Sequence, residues 1–326
     1  MRLFANAKYD FLGQRKWAYA FSAAFSLIGL AVLLVVGINY SVEFTGGTLI
    51  QVETERPADV GALRNALQAR GISGAEIQTF GSEREIVVRA RVAREGSDAN
   101  DTQATAEAVA QALDATLGAG TYQILRTEAV GPKVGGELRQ QAVLAILMSF
   151  LAVLAYLAFR FEWRFGVAAI VATAHDIVAS LAFIAFLRLE VSLFVVAGLL
   201  TIVGYSLNDT IVIFDRIREN LHRLKRESFE SILNRSINET LPRTFFTGTT
   251  ALGSLLALSI LGGDVVRPFA LLMLFGVVVG TFSSIYIAPP VLLAIEKRWP
   301  GPDARGHLGP KAAATPAGSR KPQPVG

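Results

Sequence analysis

Six apolar stretches, each close to the length needed to cross a bilayer, constrain this chain more than any other feature. They occupy residues 17–38, 141–159, 165–187, 191–214, 245–261 and 268–295. A helix needs about 20 predominantly apolar residues to span the hydrocarbon core, because each residue rises only about 1.5 Å. Hydrophobic residues make up 52% of the chain and charged residues 18%, and the mean hydropathy is +0.43. The pattern predicts an α-helical polytopic membrane protein. The fifth stretch is the shortest, and the sixth is long enough to tilt or to run past the membrane. Arg2, Lys8, Arg15 and Lys16 precede the first. Its apolar part is too long for a cleaved signal and no small-residue cleavage site follows, so it reads as a retained anchor. Cysteine is absent, which removes disulfide frameworks and thiolate metal sites.

Loop charges orient the spans. Lys and Arg in short loops mark the cytoplasmic side. Residues 1–16, the turn at 160–164, the segment 215–243 and the end at 297–298 are basic, while the turns at 188–190 and 262–267 are nearly neutral. Six spans with both termini in the cytoplasm fit that alternation. The pI of about 9.4 reflects basic residues flanking spans, so anionic lipid, not nucleic acid, is the expected contact. The segment 215–243 is amphipathic enough to lie as helices on the membrane surface.

One loop, residues 39–137, carries fourteen acids against nine bases and is expected to form an extracytoplasmic domain. Strands are expected at 47–53, 75–80, 85–91 and 122–129. Helices are expected at 57–70, opened by Pro57 and closed by Gly71, and at 102–117, ended by Gly118 and Gly120. The order β-α-β-β-α-β is the ferredoxin-like α+β arrangement, a fold that hosts many functions. Residues 95–101 read as a mobile loop. The tail from residue 296 on, rich in Pro, Gly and Ala, is expected to be disordered.

Polar groups inside the spans are the functional candidates, because an intramembrane ionisable residue is expensive. Asp209 lies six residues before Asp215, about 9 Å inside the membrane if Asp215 marks the interface. Asn208 and Thr210 flank it. His175 and Asp176 fall near the middle of the third span. Arg243 is followed by Thr247, Thr250 and Ser254 at helical steps, and Thr201, Tyr205, Asn208 and Asp209 form a second such stripe. Asp209 and Arg243 are therefore expected to meet across neighbouring helices. Each group also fits a structural role: Arg243 snorkelling to phosphates, Asp209 hydrated at the interface, Asp176 tied into a hydrogen bond. Gly276, Gly280 and Ser284 recur every fourth residue, which suits close helix packing. The chain has no phosphate-binding glycine loop and no metal-ligand spacing, so no cofactor and no enzyme activity are expected. An ion gradient is the expected energy source.

Several motifs, in order along the chain, resemble one family. They are FLGQRK at 11–16, EFTGGT at 43–48, VGP at 130–132, His175-Asp176, VGYSLNDTIVIFDRIREN at 203–220, NRSINET at 234–240 with Arg243-Thr244, and GTFSS at 280–284. Together they resemble the SecD/SecF protein-export family of the resistance-nodulation-division superfamily. Glu43 stands where that family usually has aspartate. The resemblance implies six spans, half of the superfamily's bundle, with one external domain. It also implies pairing with SecD in a bacterial cytoplasmic membrane, and use of the proton motive force to help the SecYEG channel and the SecA ATPase export unfolded polypeptide. YajC and YidC are further implied partners. It implies a proton relay at Asp209 and Arg243; His175, Asp176, Asn208 and Thr247 are secondary candidates from the polar pattern of the spans. A small-molecule or lipid exporter of the same superfamily, or a membrane scaffold, would share the helices.

Overall fold

The computed structural model describes Phe4, residues 7–72, 75–80, 82–90, 102–302 and Ala304. The loop expected at 95–101, and the part of the expected disordered tail beyond Ala304, lie outside the described residues. Fourteen elements follow in order: α1 Arg15–Val36, α2 Val42–Thr45, β1 Gly47–Thr54, α3 Val60–Ala69, β2 Glu76–Phe80, β3 Ser82–Ala90, α4 Thr102–Leu117, β4 Tyr122–Val130, α5 Pro132–Arg160, α6 Trp163–Leu187, α7 Leu193–Arg223, α8 Phe229–Leu261, α9 Gly263–Tyr286 and α10 Ala288–Arg298. Among the described residues, six helices are long and apolar enough to cross a membrane, with α9 and α10 together supplying the sixth.

Between α1 and α5 sits the ferredoxin-like domain. Its sheet has strand order β2-β3-β1-β4, with every neighbouring pair antiparallel. That order follows from two crossovers that each return a strand to the sheet through a helix. Leu63 and Leu67 of α3 and Val109, Ala112 and Leu113 of α4 pack on Ile50, Val52, Ile86 and Val88. The helix expected to open at Pro57 opens instead at Asp59, whose Oδ1 accepts from the Gly61 and Ala62 amides; a side-chain cap satisfies amides that proline cannot. Gly46 (φ 71°) and Gly47 (φ 126°) turn the chain from α2 into β1. Gly135 of α5 approaches that turn so closely that a Cβ would lie 3.0 Å from the Gly46 amide nitrogen.

Four helix boundaries differ from the hydropathy reading. α5 begins at Pro132, nine residues before the apolar run, because its first turns pack against α2 beneath the domain. α7 continues to Arg223 and α8 starts at Phe229, so 215–243 is helical on both sides of a short turn and continuous with the two spans. Charged side chains end the apolar run but not the helix: Arg216 pairs with Glu219 and Arg235 with Glu239 at the spacings that support helix, and Arg216 also reaches Glu239 from α7 to α8. The sixth run breaks at Ile287, where Pro289 and Pro290 start a new helix. Residues 299–302, expected to be disordered, are pinned where Arg164 donates to the Trp299 carbonyl and Glu296 accepts from the Gly301 amide at 2.7 Å.

The bundle core joins α6, α7, α8, α9 and α10. Gly276 and Gly280 bring α9 against α7: a Cβ on Gly276 would lie 2.3 Å from the Ile202 side chain, and one on Gly280 2.9 Å from the Ser206 Cβ. Ser284 is fully buried and donates to the Thr281 carbonyl. Gly276→Leu is expected to lower stability by about 1–3 kcal/mol through overpacking. Thermal unfolding in detergent reads this directly, with Gly253→Leu, where a Cβ meets nothing within 4 Å, as the neutral comparison.

Candidate functional site

Among the described residues, α6 and α7 each carry a buried aspartate inside a candidate span. Asp176 of α6 is fully buried. Its Oδ2 accepts hydrogen bonds from Ser206 of α7 and from Ser283 of α9, the latter at 2.7 Å. Its Oδ1 lies 2.9 Å from His175 Nδ1. His175 Nε2 in turn lies 2.5 Å from Ser22 Oγ on α1. An ionised carboxylate only accepts, so His175 then donates from Nδ1 and accepts from Ser22. Four helices thus converge on one acid through short hydroxyl side chains.

Three residues beyond Ser206, about 4.5 Å along the helix, comes Asp209. Its side chain is turned inward, with 4% exposure. Its Oδ2 is buried with no hydrogen-bond partner among the described residues, and the same holds for the Tyr205 hydroxyl one turn earlier. Each such orphan is unfavourable by roughly 1–3 kcal/mol. Arg243 of α8 acts on Asp209 electrostatically, but no hydrogen bond or ion pair joins them among the described residues. Arg243 is exposed, as are Asn208 and Thr247. The pairing expected from helix faces is therefore not a direct contact: Asp209 points into the bundle, and Arg243 points out of it from the fifteenth position of α8, not from its start.

Around Arg243 the bundle surface is polar. Thr201 and Asn208 of α7 and Thr247, Thr250 and Ser254 of α8 are exposed on candidate spans. Thr201, Thr250 and Ser254 donate to carbonyls of their own helices, the usual way a hydroxyl is tolerated there. Asn208 and Arg243 have no such bond among the described residues.

Sequence reasoning missed the hydroxyls. Ser206, Ser283 and Ser22 carry no periodic signal, although two of them sit inside the motifs at 203–220 and 280–284. It also left Glu43 without a role. Glu43 Oε2 accepts from the Leu193 amide at 2.6 Å, capping the first turn of α7, while the Ser192 hydroxyl accepts from Val195. The helix that carries Asp209 is thus tied at its other end to the turn that enters the domain.

A second tie lies beside it. Arg89 of β3 pairs with Glu190, between α6 and α7, at 2.5 Å. Burial pushes the Glu190 carboxyl up, while Arg89 and Arg126 pull it back down. Both partners are mostly covered, so removing one strands the other. Arg89→Ala is expected to destabilise by about 1–3 kcal/mol, and the Arg89→Ala/Glu190→Gln pair by less than Arg89→Ala alone. A double-mutant cycle on thermal unfolding measures the difference.

Comparison with known proteins places this geometry. Residues 108–298 match the family described as Protein export membrane protein SecD/SecF, C-terminal, and residues 31–58 match the SecD/SecF GG Motif. The chain is 52% identical over 325 residues to the protein translocase subunit SecF of Gemmatimonas aurantiaca, covering 97% of each chain. It is 42% identical over 297 residues to that of Magnetococcus marinus, covering 91% of this chain and 95% of the relative. Among solved structures it is similar to SecDF from Thermus thermophilus, with a TM-score of 0.79 and 38% identity over 91% of this chain. SecDF in a super-membrane-facing form matches with a TM-score of 0.65 and 37% identity over 90% of this chain. The chain spans only 40% and 39% of those two structures' lengths.

Proposed function

Because the chain belongs to the SecD/SecF family of protein-export membrane proteins and is a subunit of the export machinery, we propose that it harnesses the proton motive force at a late, extracytoplasmic step of export. Asp209 is the proton-carrying group, and one observation carries this reading: a buried carboxylate oxygen without a hydrogen-bond partner among the described residues, inside a candidate span. Such a group exchanges a proton without first breaking a hydrogen bond. Asp176, by contrast, is tied on both oxygens and serves with His175 as a secondary position.

The membrane is the bacterial cytoplasmic one, both termini are cytoplasmic, and the ferredoxin-like domain is outside. SecD is the partner. It covers the polar stripe of Asn208, Arg243 and Thr247, since such a face is unfavourable against lipid. SecYEG and SecA deliver the polypeptide.

Ionised Asp209 attracts Arg243; a proton arriving from outside weakens that attraction and lets α8 shift against α7. The shift travels along α7 to its capped end, where Glu43 and the Arg89–Glu190 pair pass it to the domain, which holds or releases the emerging chain. A charge crossing the full potential gains about 2.3 kcal/mol per 100 mV. Throwing a two-state element from 1:99 to 99:1 takes roughly 5.5 kcal/mol, so about two to three protons crossing 100 mV suffice. The test is export into vesicles holding this chain and SecD. Stimulation by an imposed proton gradient, abolished by a protonophore, is expected; export indifferent to the gradient overturns the reading.

A further inference from the structure

Two motifs left without a role above, FLGQRK at 11–16 and NRSINET at 234–240, meet in space. The Asn238 amide grips the Tyr9 backbone on both sides, accepting from its N–H at 2.9 Å and donating to its carbonyl at 2.9 Å. Asn234 accepts from the Leu12 amide at 3.0 Å and donates to Asp10 Oδ1 at 2.8 Å. Arg15 pairs with Glu230 at 2.7 Å. Positions 230, 234 and 238 recur every fourth residue and so line one face of α8. Leu12 is 1% exposed in the bundle core. Residues 7–14 therefore lie as a strap along the start of α8.

The strap brackets the weak point of that helix. Pro242 stands inside α8, where it supplies no N–H to the Asn238 carbonyl and invites a bend. Arg243 follows it directly. Before the proline, the strap is clamped by Asn234 and Asn238. Beyond it, the Phe4 ring meets Phe245 edge-on at a centroid distance of 5.2 Å. On the far side, Asn220 of α7 donates to Ser236 and Glu239 at 3.0 and 2.8 Å.

We propose that the strap is a splint across the turn of α8 that Pro242 weakens and that Asn234 and Asn238 are positioning residues for Arg243. With the splint in place, attraction between Asp209 and Arg243 moves α8 as one rod; without it, the same attraction only bends the helix at Pro242. The proposal rests on the Asp209–Arg243 reading of the preceding subsection.

The test uses the full chain with SecD in vesicles, and export driven by an imposed proton gradient. Asn234→Ala/Asn238→Ala is expected to lower proton-driven export tenfold or more, the scale on which a misplacement of about 1 Å is felt, while SecD still copurifies. Because the chain has no cysteine, Tyr9→Cys/Asn234→Ala/Asn238→Cys offers a covalent clamp. Reduced, it is expected to export as poorly as the alanine pair; oxidised, it recovers most of the native rate. A merely structural contact would not follow the redox state of one folded sample. Native export by the alanine pair, or no recovery on oxidation, overturns the splint. Asp209→Asn separates the two ideas: if it exports normally, the proton reading itself fails, and if it is inactive while the strap variants are normal, only the splint fails.

Discussion

Asp209→Asn is expected to abolish the proton-gradient stimulation of export while leaving the fold unchanged. Asparagine has the same shape and is neutral, and the Oδ2 it replaces has no hydrogen bond to lose among the described residues. No unfolding of the bundle should follow. What is lost is a charge that responds to the gradient. That charge is worth about 2.3 kcal/mol per 100 mV, and about 1.4 kcal/mol is a factor of ten. The stimulated rate should therefore fall by roughly 50-fold per 100 mV and reach the rate seen without a gradient. Reconstituted export with SecD, run with and without the gradient, reads both numbers. Arg243→Ala should act in the same direction.

The second large effect concerns Asp176, and it separates packing from proton work. Asp176→Leu removes the acceptor shared by Ser206 and Ser283 and the partner of His175, leaving two buried hydroxyls and a half-buried imidazole without it. A loss of about 3–5 kcal/mol is expected, the range for stranding a buried hydrogen-bonded network. Asp176→Asn is different. Its carbonyl oxygen still accepts from the serines, and its amide donates to His175 Nδ1 once the imidazole carries its proton on Nε2. About 1 kcal/mol is then the expected loss. Thermal unfolding of the two variants gives the contrast. If Asn is as destabilising as Leu, the charge of Asp176 is itself structural; if Asn is stable but inactive in export, Asp176 belongs to the proton path with Asp209.

What the sequence made legible follows from which forces are local. The spans were readable because apolar length is a property of each segment alone. The four strands and two helices of the domain were readable from alternation and from Gly71, Gly118 and Gly120, all at positive φ. The ends of α7 and α8 were not. Hydropathy stops at the first cluster of charges, whereas the helices persist through Arg216, Arg235 and Glu239, which pair within their own helices and, at Arg216–Glu239, across them. The candidate site divides in the same way. Asp209, Arg243, His175 and Asp176 stood out because charge is costly in an apolar helix. Their partners did not, because Ser206 and Ser283 are ordinary small residues until α7 and α9 come together. Helix-face spacing placed Asp209 and Arg243 together, yet a face is about 100° wide, and rotation within it turns one residue inward and the other out. Glu43, Asn234 and Asn238 were visible only as motif letters, since each acts on a backbone group about 150 to 230 residues away.

The central claim is that a proton moving through this chain and SecD drives export by way of Asp209. Proton uptake into vesicles containing both subunits, followed with a pH-sensitive dye under an imposed potential, tests it most directly. Uptake that requires SecD, rises with translocating polypeptide and disappears in Asp209→Asn is the predicted result. Equal uptake by Asp209→Asn and the native chain would contradict the account.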